Sequence, residues 1–407
     1  MNQKMISYDE ALLRTLEQIT PIGTETIHVL KATDRIVAEE LHALVDSPSL
    51  DVSLKDGYAI QSTDIANASP THPVLLRLLG VVAAGDLWEG KVTPGTAVRI
   101  LSGAPIPLGA QAVVSEEFAS DDGRIVKVTN HSEPKRNILC KGTDVTAGEE
   151  MIRPGIVLCP TMAGLLAASG HKHVLVRKRP RIAIIATGNE VIAPGTPMDE
   201  GKLYASNLIT LSAWCQHFGM ITSISVVRDL EEDIEKALST SISDHDAILT
   251  SGGAWKGDRD LVVHLLERLG WKKVYHRVRI GPGKAIGFGL FEGKPVFCLP
   301  GGPPSNHMAF LQLALPGLHQ LAGAQRTGIP TMMTRLDESI SGQKDWTQFI
   351  HGHLEIREGL PRFRPIKQTS RLQMMAHTTG IAMIPEGTDF IPEGASLPIQ
   401  VLSWPAP

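Results

Sequence analysis

From residue 182 to residue 315 the chain alternates short, continuously apolar runs with segments whose apolar residues recur every three or four positions. A bounded apolar run reads as a strand buried on both faces, and the three-to-four spacing reads as a helix with one apolar side. Runs at 182–186, 221–227, 247–250, 273–280 and 295–299 are predicted strands, and segments near 206–218, 230–242, 258–269 and 303–315 are predicted helices. Strands that alternate with helices are joined by crossovers, so the pattern predicts a doubly wound α/β domain with a parallel sheet. Such sheets bind ligands beyond the carboxyl ends of their strands. That rule gathers four loops: TGNE from Thr187, RD from Arg228, SGGAWKGDRD from Ser251 and LPGGPPS from Leu299.

The stretch 247–270 carries most of the chemistry. A predicted strand runs into Ser251, Gly252 and Gly253, then the acids Asp258 and Asp260, then an amphipathic helix. A strand, a glycine turn and a helix in that order aim backbone N–H groups at an anion, and acids on the same edge can hold a divalent cation beside it. A glycine at such a turn is also what any sharp bend needs.

At 407 residues the chain exceeds one hydrophobic core. Residues 1–50 and 139–177 read as an elongated mixed region with helices near 8–19 and 30–44, and 51–138 as an inserted β lobe with strands near 73–79, 96–100, 112–114 and 124–128. Residues 178–323 form the α/β domain, and 324–407, with turns about every ten residues, a small C-terminal β-barrel. A net charge of -4 argues against nucleic-acid binding, and no apolar run is long enough to span a membrane. The N-terminus has no secretory pattern, which points to the cytoplasm. The four cysteines form no CxxC pair, and Cys215 and Cys298 fall at core positions.

No GxxxxGK[ST] or GxGxxG is present, which excludes an ordinary P-loop or dinucleotide fingerprint, and no Gly-x-Ser-x-Gly elbow supports a hydrolase. The loops offer hydroxyls (Thr187, Ser251, Ser305), acids (Glu190, Asp229, Asp258, Asp260) and bases (Lys256, Arg277, Arg279, Lys284). This set suits a phosphate or another oxyanion beside Mg²⁺. His351-Gly352-His353 would share a strand face but lacks a third metal ligand nearby.

The segments TGNEV, YASN, DAILTSGGAWKGDRD, GPGKAIGFG and LPGGPPSNHMAF, with DGYA, SGAPIPLGAQAVV and GTDVTAGEEMIRPG before them, resemble the molybdopterin molybdenumtransferase family, the bacterial MoeA proteins and the gephyrin E domain. The resemblance implies a homodimer whose active-site cleft lies between the α/β lobe of one subunit and the β lobe of the other. It implies Mg²⁺-dependent transfer of molybdate to adenylylated molybdopterin with release of AMP, a pterin nucleotide as small-molecule partner, and contact with other molybdenum cofactor biosynthesis proteins. Carried over by motif, the catalytic set is Asp56, Ser102 (where threonine is usual), Asp144, Glu190 and Asp260. The metal set is Asp229, Asp258, Asp260 and Glu190. Cofactor-binding positions are Thr187, Gly188, Asp229, Ser251, Gly252, Gly253, Trp255, Lys256, Arg277, Arg279, Lys284, Pro300, Pro303 and Ser370.

The chain departs from the family pattern at Lys55, Leu139, Thr143, Asn189, Ala205, Trp255, Lys256, Gly281 and Gly302. Bases lost at Leu139 and Gly281 are accompanied by bases at Lys55, Lys256 and Arg279. Placed on one strand with Gly281, Arg279 would face the same way and stand in for the missing lysine. Two explanations stay open: a retuned site, including one that uses tungstate, or a paralogue that binds or carries the pterin without turnover. Trp255 would stack on a planar ring or block the pocket.

Overall fold

The computed structural model describes residues 5–252, 261–367 and 370–403. Its central sheet has six strands in the order Ile221–Val227, Arg181–Thr187, Ala247–Ser251, Lys294–Leu299, Gly287–Phe291, Lys272–His276. The first four are parallel. Side chains alternate between two cores, with Ile182 and Ile184 on one face and Ala183 and Ile185 on the other. The helices Ser206–His217 and Pro303–Ala309 cover the first face, and Glu231–Asp244 and Leu261–Arg268 the second. The doubly wound domain is therefore present, and burial on both faces is why its strands read as unbroken apolar runs.

The last two strands are antiparallel, so the sheet is mixed rather than wholly parallel. The Gly287–Phe291 strand carries too weak a β signal to be read, because Gly287 and Gly289 interrupt it. Gly289 is required by contact: a Cβ there would lie 2.5 Å from the Lys272 carbonyl oxygen and 2.7 Å from the Trp271 ring. The run 273–280 is likewise not one strand. It breaks at Arg277, which has φ 68°, and Ile280–Gly281 pairs instead with the Thr347–Arg357 strand of the C-terminal sheet.

Three antiparallel pairs lead from the N-terminal part to a second six-stranded sheet and back: Thr24–His28 with His173–Arg177, Leu41–His42 with Glu150–Ile152, and Val52–Ser53 with Ile138–Leu139. That sheet contains the strands Val74–Val82, Thr96–Ile100, Ala112–Ser115 and Ile125–Val128. The helix expected near 30–44 does not form. Only a 3₁₀ turn, Val29–Lys31, is present, followed by bridges from Ile36 to Val157 and Val37 to Val176. Val29, Val37 and Leu41 are drawn into a small core with Leu158, Leu166 and Val174, so tertiary pairing overrides the helical spacing. The helix Tyr8–Gln18, capped by Ser7, packs Ala11 against the core of the central sheet.

The C-terminal strands close on themselves in the order Thr347–Arg357, Leu360–Pro365, Thr331–Leu336, Ser396–Val401, Gly380–Ile384 and back to Thr347–Arg357, the expected barrel. Gly352 is needed there, since a Cβ would lie 2.3 Å from the Phe363 ring. His351 beside it is buried, with its ring 6.2 Å from that of His307. Among the described residues no helix is long and apolar enough to cross a membrane.

Candidate functional site

The parallel strands Arg181–Thr187, Ala247–Ser251 and Lys294–Leu299 end side by side, and a cavity of about 620 Å³ opens beyond their carboxyl ends. Thr187, Glu190, Tyr204, Asn207, Ser251, Gly252, Gly301 and Pro303 line it, and Arg371 and Leu372 reach it from the barrel. The loops after three separate strands thus meet where the chain order reverses across the sheet, as the crevice rule requires.

Gly252 is fixed by conformation and by contact. Its φ is +105°, and a Cβ on it would lie 2.4 Å from the Thr187 carbonyl oxygen. Beneath it, Ser251 is 5% exposed and accepts hydrogen bonds from Asn207 Nδ2 at 3.0 Å and from Asn306 Nδ2 at 3.1 Å. The same two amides donate to the carbonyls of Gly301 (2.8 Å) and Pro300 (2.9 Å), which pins the loop Pro300–Pro303 to the floor. The Thr187 hydroxyl is buried and has no partner among the described residues.

At the rim, Asn189 accepts from the Asp229 backbone N–H at 3.2 Å, which joins the TGNE loop to the RD loop, and its own carbonyl accepts from Lys202 Nζ at 2.6 Å. Partial burial, then the charge of Glu190, raise the Asp229 carboxyl above the ordinary carboxylate range, opposed by a hydrogen bond from the Asn189 backbone. A carboxylate whose ionisation is opposed by a neighbouring carboxylate is one that a hard cation would relieve.

Of the expected cofactor positions, Thr187, Ser251, Gly252 and Pro303 line the cavity, and Pro300 supplies a carbonyl beneath it. Gly188, with φ 145°, makes the turn that brings Glu190 in. Ser370 caps the helix Arg371–His377, whose first two residues enter the cavity. Gly253, Trp255, Lys256, Asp258 and Asp260 lie outside the described residues. Arg277 and Lys284 are exposed on the neighbouring loop. The expectation for Arg279 is corrected: it is not on a strand with Gly281, and its guanidinium is held by Glu386 at 2.8 Å and the Met5 carbonyl at 2.6 Å. Those bonds brace the barrel against the central domain rather than replace a missing lysine.

Asp56, Ser102 and Asp144 do not line the cavity. Asp56 accepts from the Ser102 backbone N–H at 2.6 Å, so these two stand together in the turns at one end of the second sheet's strands, and the Asp144 N–H donates to the Ser47 carbonyl. The glycine of DGYA is structural, because a Cβ on Gly57 would lie 1.9 Å from the Val114 carbonyl oxygen. Sequence reasoning missed Asn207, Asn306 and Arg371. Asn207 was within sight as the last residue of YASN, but the partners that give an amide its role are set by the fold.

Family profiles match both halves of this architecture: the MoeA N-terminal region (domain I and II) over residues 6–170, and a probable molybdopterin binding domain over residues 183–320. A molybdopterin molybdenumtransferase of Haemophilus influenzae is 31% identical over 79% of this chain and 79% of its own. The chain belongs to the molybdopterin molybdenumtransferase family. Molybdopterin molybdenumtransferase 2 of Mycobacterium tuberculosis is 29% identical over 93% of this chain and 95% of its own. The crystal structure of the molybdopterin biosynthesis moeA protein from Pyrococcus horikoshii superposes with a TM-score of 0.84 at 28% identity, covering 98% of this chain and all of that one. Family membership makes the chain a transferase, and the residues lining the cavity, Arg371 and Leu372 excepted, lie within the stretch matched as molybdopterin binding.

Proposed function

We propose that the protein accepts adenylylated molybdopterin, releases AMP and places molybdate on the dithiolene, in the cytoplasm and with Mg²⁺ required. The observation that carries this reading is the cavity at the strand ends, where hydroxyl and amide donors and Glu190 line the wall and the Asp229 carboxyl lies near enough to feel the Glu190 charge. Thr187, Ser251 and Arg371 bind and orient the phosphorylated pterin, and Arg277 and Lys284 attract its charge. Glu190 and Asp229 fit Mg²⁺, which would supply Lewis acidity at the phosphoanhydride. Asp56, Ser102 and Asp144 do not line this cavity in one chain, so the reading assigns them to the cavity of a second copy in a homodimer.

Purified protein given adenylylated molybdopterin, Mg²⁺ and molybdate is expected to release AMP. Bound substrate with no AMP above background would leave a carrier, and release driven by tungstate alone would change the metal. The dimer has its own expected result: Asp56→Ala and Glu190→Ala chains, each inactive alone, recover activity when mixed, since some mixed dimers keep one intact cleft. No recovery in verified mixed dimers would place all these acids in one subunit's site.

A further inference from the structure

Ser251 sits at the cavity floor with its Oγ contacted by two side-chain amides, Asn207 Nδ2 at 3.0 Å and Asn306 Nδ2 at 3.1 Å. Each amide nitrogen also contacts a backbone carbonyl, Gly301 or Pro300. A carbonyl only accepts, so each amide must present its NH₂ there; the flipped amide would set oxygen against oxygen. Each NH₂ has two hydrogens, one for the carbonyl and one for Ser251 Oγ. Both lone pairs of the hydroxyl are therefore filled, and its own proton has no acceptor among the described residues.

We infer that Asn207 and Asn306 hold Ser251 as a one-way hydrogen-bond donor, so that the floor of the cavity selects a hydrogen-bond acceptor on the ligand and disfavours an N–H, which can only donate, at that point. The ligand's identity rests on the function proposed above; the polarity of Ser251 does not. Thr187, buried in the same lining, adds a second hydroxyl that has no partner among the described residues. A buried donor left unmet is costly, so a ligand lacking the acceptor is disfavoured more strongly than one bond alone would imply. In molybdopterin the oxygen would be a phosphoryl oxygen or the ring carbonyl. Asn207 and Asn306 are positioning residues in this scheme, since they act through Ser251.

Calorimetric titration with molybdopterin tests the scheme. Ser251→Ala is expected to weaken binding about tenfold to a hundredfold, the range for a hydrogen bond to a charged acceptor. Asn207→Ala, at a half-buried position, is expected to weaken binding less in the wild-type background and not at all in the Ser251→Ala background. A full Asn207→Ala effect without the Ser251 hydroxyl would mean that Asn207 acts on the ligand directly or through the Gly301 carbonyl rather than through Ser251, and would overturn the inference. With dephosphorylated molybdopterin, loss of the Ser251→Ala penalty assigns the acceptor to the phosphate, and persistence assigns it to the ring. Neutron diffraction of the ligand-free protein gives an answer independent of the ligand: the Ser251 hydroxyl deuterium points into the cavity, and finding it on Asn207 or Asn306 refutes the scheme. Wild-type protein that binds no molybdopterin would overturn the functional reading while the neutron result still decides the polarity of Ser251.

Discussion

Stability should fall steeply as the pH drops from about 6.5 to 4.5, before most carboxylates titrate. Three buried histidines are responsible. Burial, and then the neighbouring His351, hold His307 down to about 3, and burial holds His319 and His351 down to about 4. His307 has no hydrogen-bond partner on either ring nitrogen among the described residues and is flanked by Trp214 and His351. The Thr378 hydroxyl donates to the Met374 carbonyl, so it accepts from His351 Nδ1, which leaves His351 Nε2 a bare acceptor with no donor. These rings are neutral in the fold. With folded values below the ordinary 6.5, the unfolded chain binds more protons once the pH falls below that value. The stability they contribute is complete above about 6.5 and is lost progressively down to about 4, then 3. At pH 4.5 each site accounts for at most ~2–3 kcal/mol, against a typical total of ~5–15 kcal/mol. Urea midpoints at pH 7.5, 6.5, 5.5 and 4.5 measure this, and His307→Leu should flatten the slope. A midpoint constant over that range would refute the assignment.

These histidines also mark where sequence reading stops. His351 drew notice as half of a His-Gly-His pair and was weighed as a metal ligand, whereas its environment depends on His307, which lies on a helix of the central domain. Burial of a polar ring is a property of packing between distant segments, and no local spacing encodes it. Arg279 failed for the same reason, because Glu386, which captures it, is 107 residues away.

What the sequence did carry is the part governed by local periodicity. The strand Ile221–Val227 was legible to the residue, and the other parallel strands to within one residue at either end. A strand buried on both faces has to be apolar throughout, and few other segments are. The Gly287–Phe291 strand was hidden because the contact that stabilises it, close approach to Lys272 and Trp271, demands glycines that look like turns. The four candidate loops follow from the strand-end rule, and residues from the Thr187, Ser251 and Leu299 loops line the cavity, while the Arg228 loop is tied to the first of them by the bond from Asp229 N–H to Asn189. Its floor was less legible, since Asn207 and Asn306 acquire their roles only when both meet Ser251.

Gly252→Ala is expected to remove most of the transferase activity while leaving the fold in place. Two effects add at this position. A φ of +105° is unfavourable for any L side chain, and the new methyl would lie 2.4 Å from the Thr187 carbonyl oxygen. That carbonyl ends a strand hydrogen-bonded on both sides, so the clash cannot be relieved by moving it. Gly270→Ala separates the two effects: its φ is +97° but nothing lies within 4 Å of its Cβ position. Gly270→Ala should therefore destabilise by about 1 kcal/mol from backbone conformation alone. Gly252→Ala should add ~1–3 kcal/mol for the forced contact. Because Gly252 must shift to make room, the backbone at Ser251 and Gly252 is displaced from its place in the cavity lining, and a displacement near 1 Å in a positioned site lowers turnover by about a hundredfold. Denaturant midpoints and AMP release on both variants check the pair. Equal activity in Gly252→Ala and Gly270→Ala would show that close contact between Gly252 and Thr187 does not shape the site, and the cavity floor would then have to tolerate movement that its hydrogen bonds to Ser251 argue against.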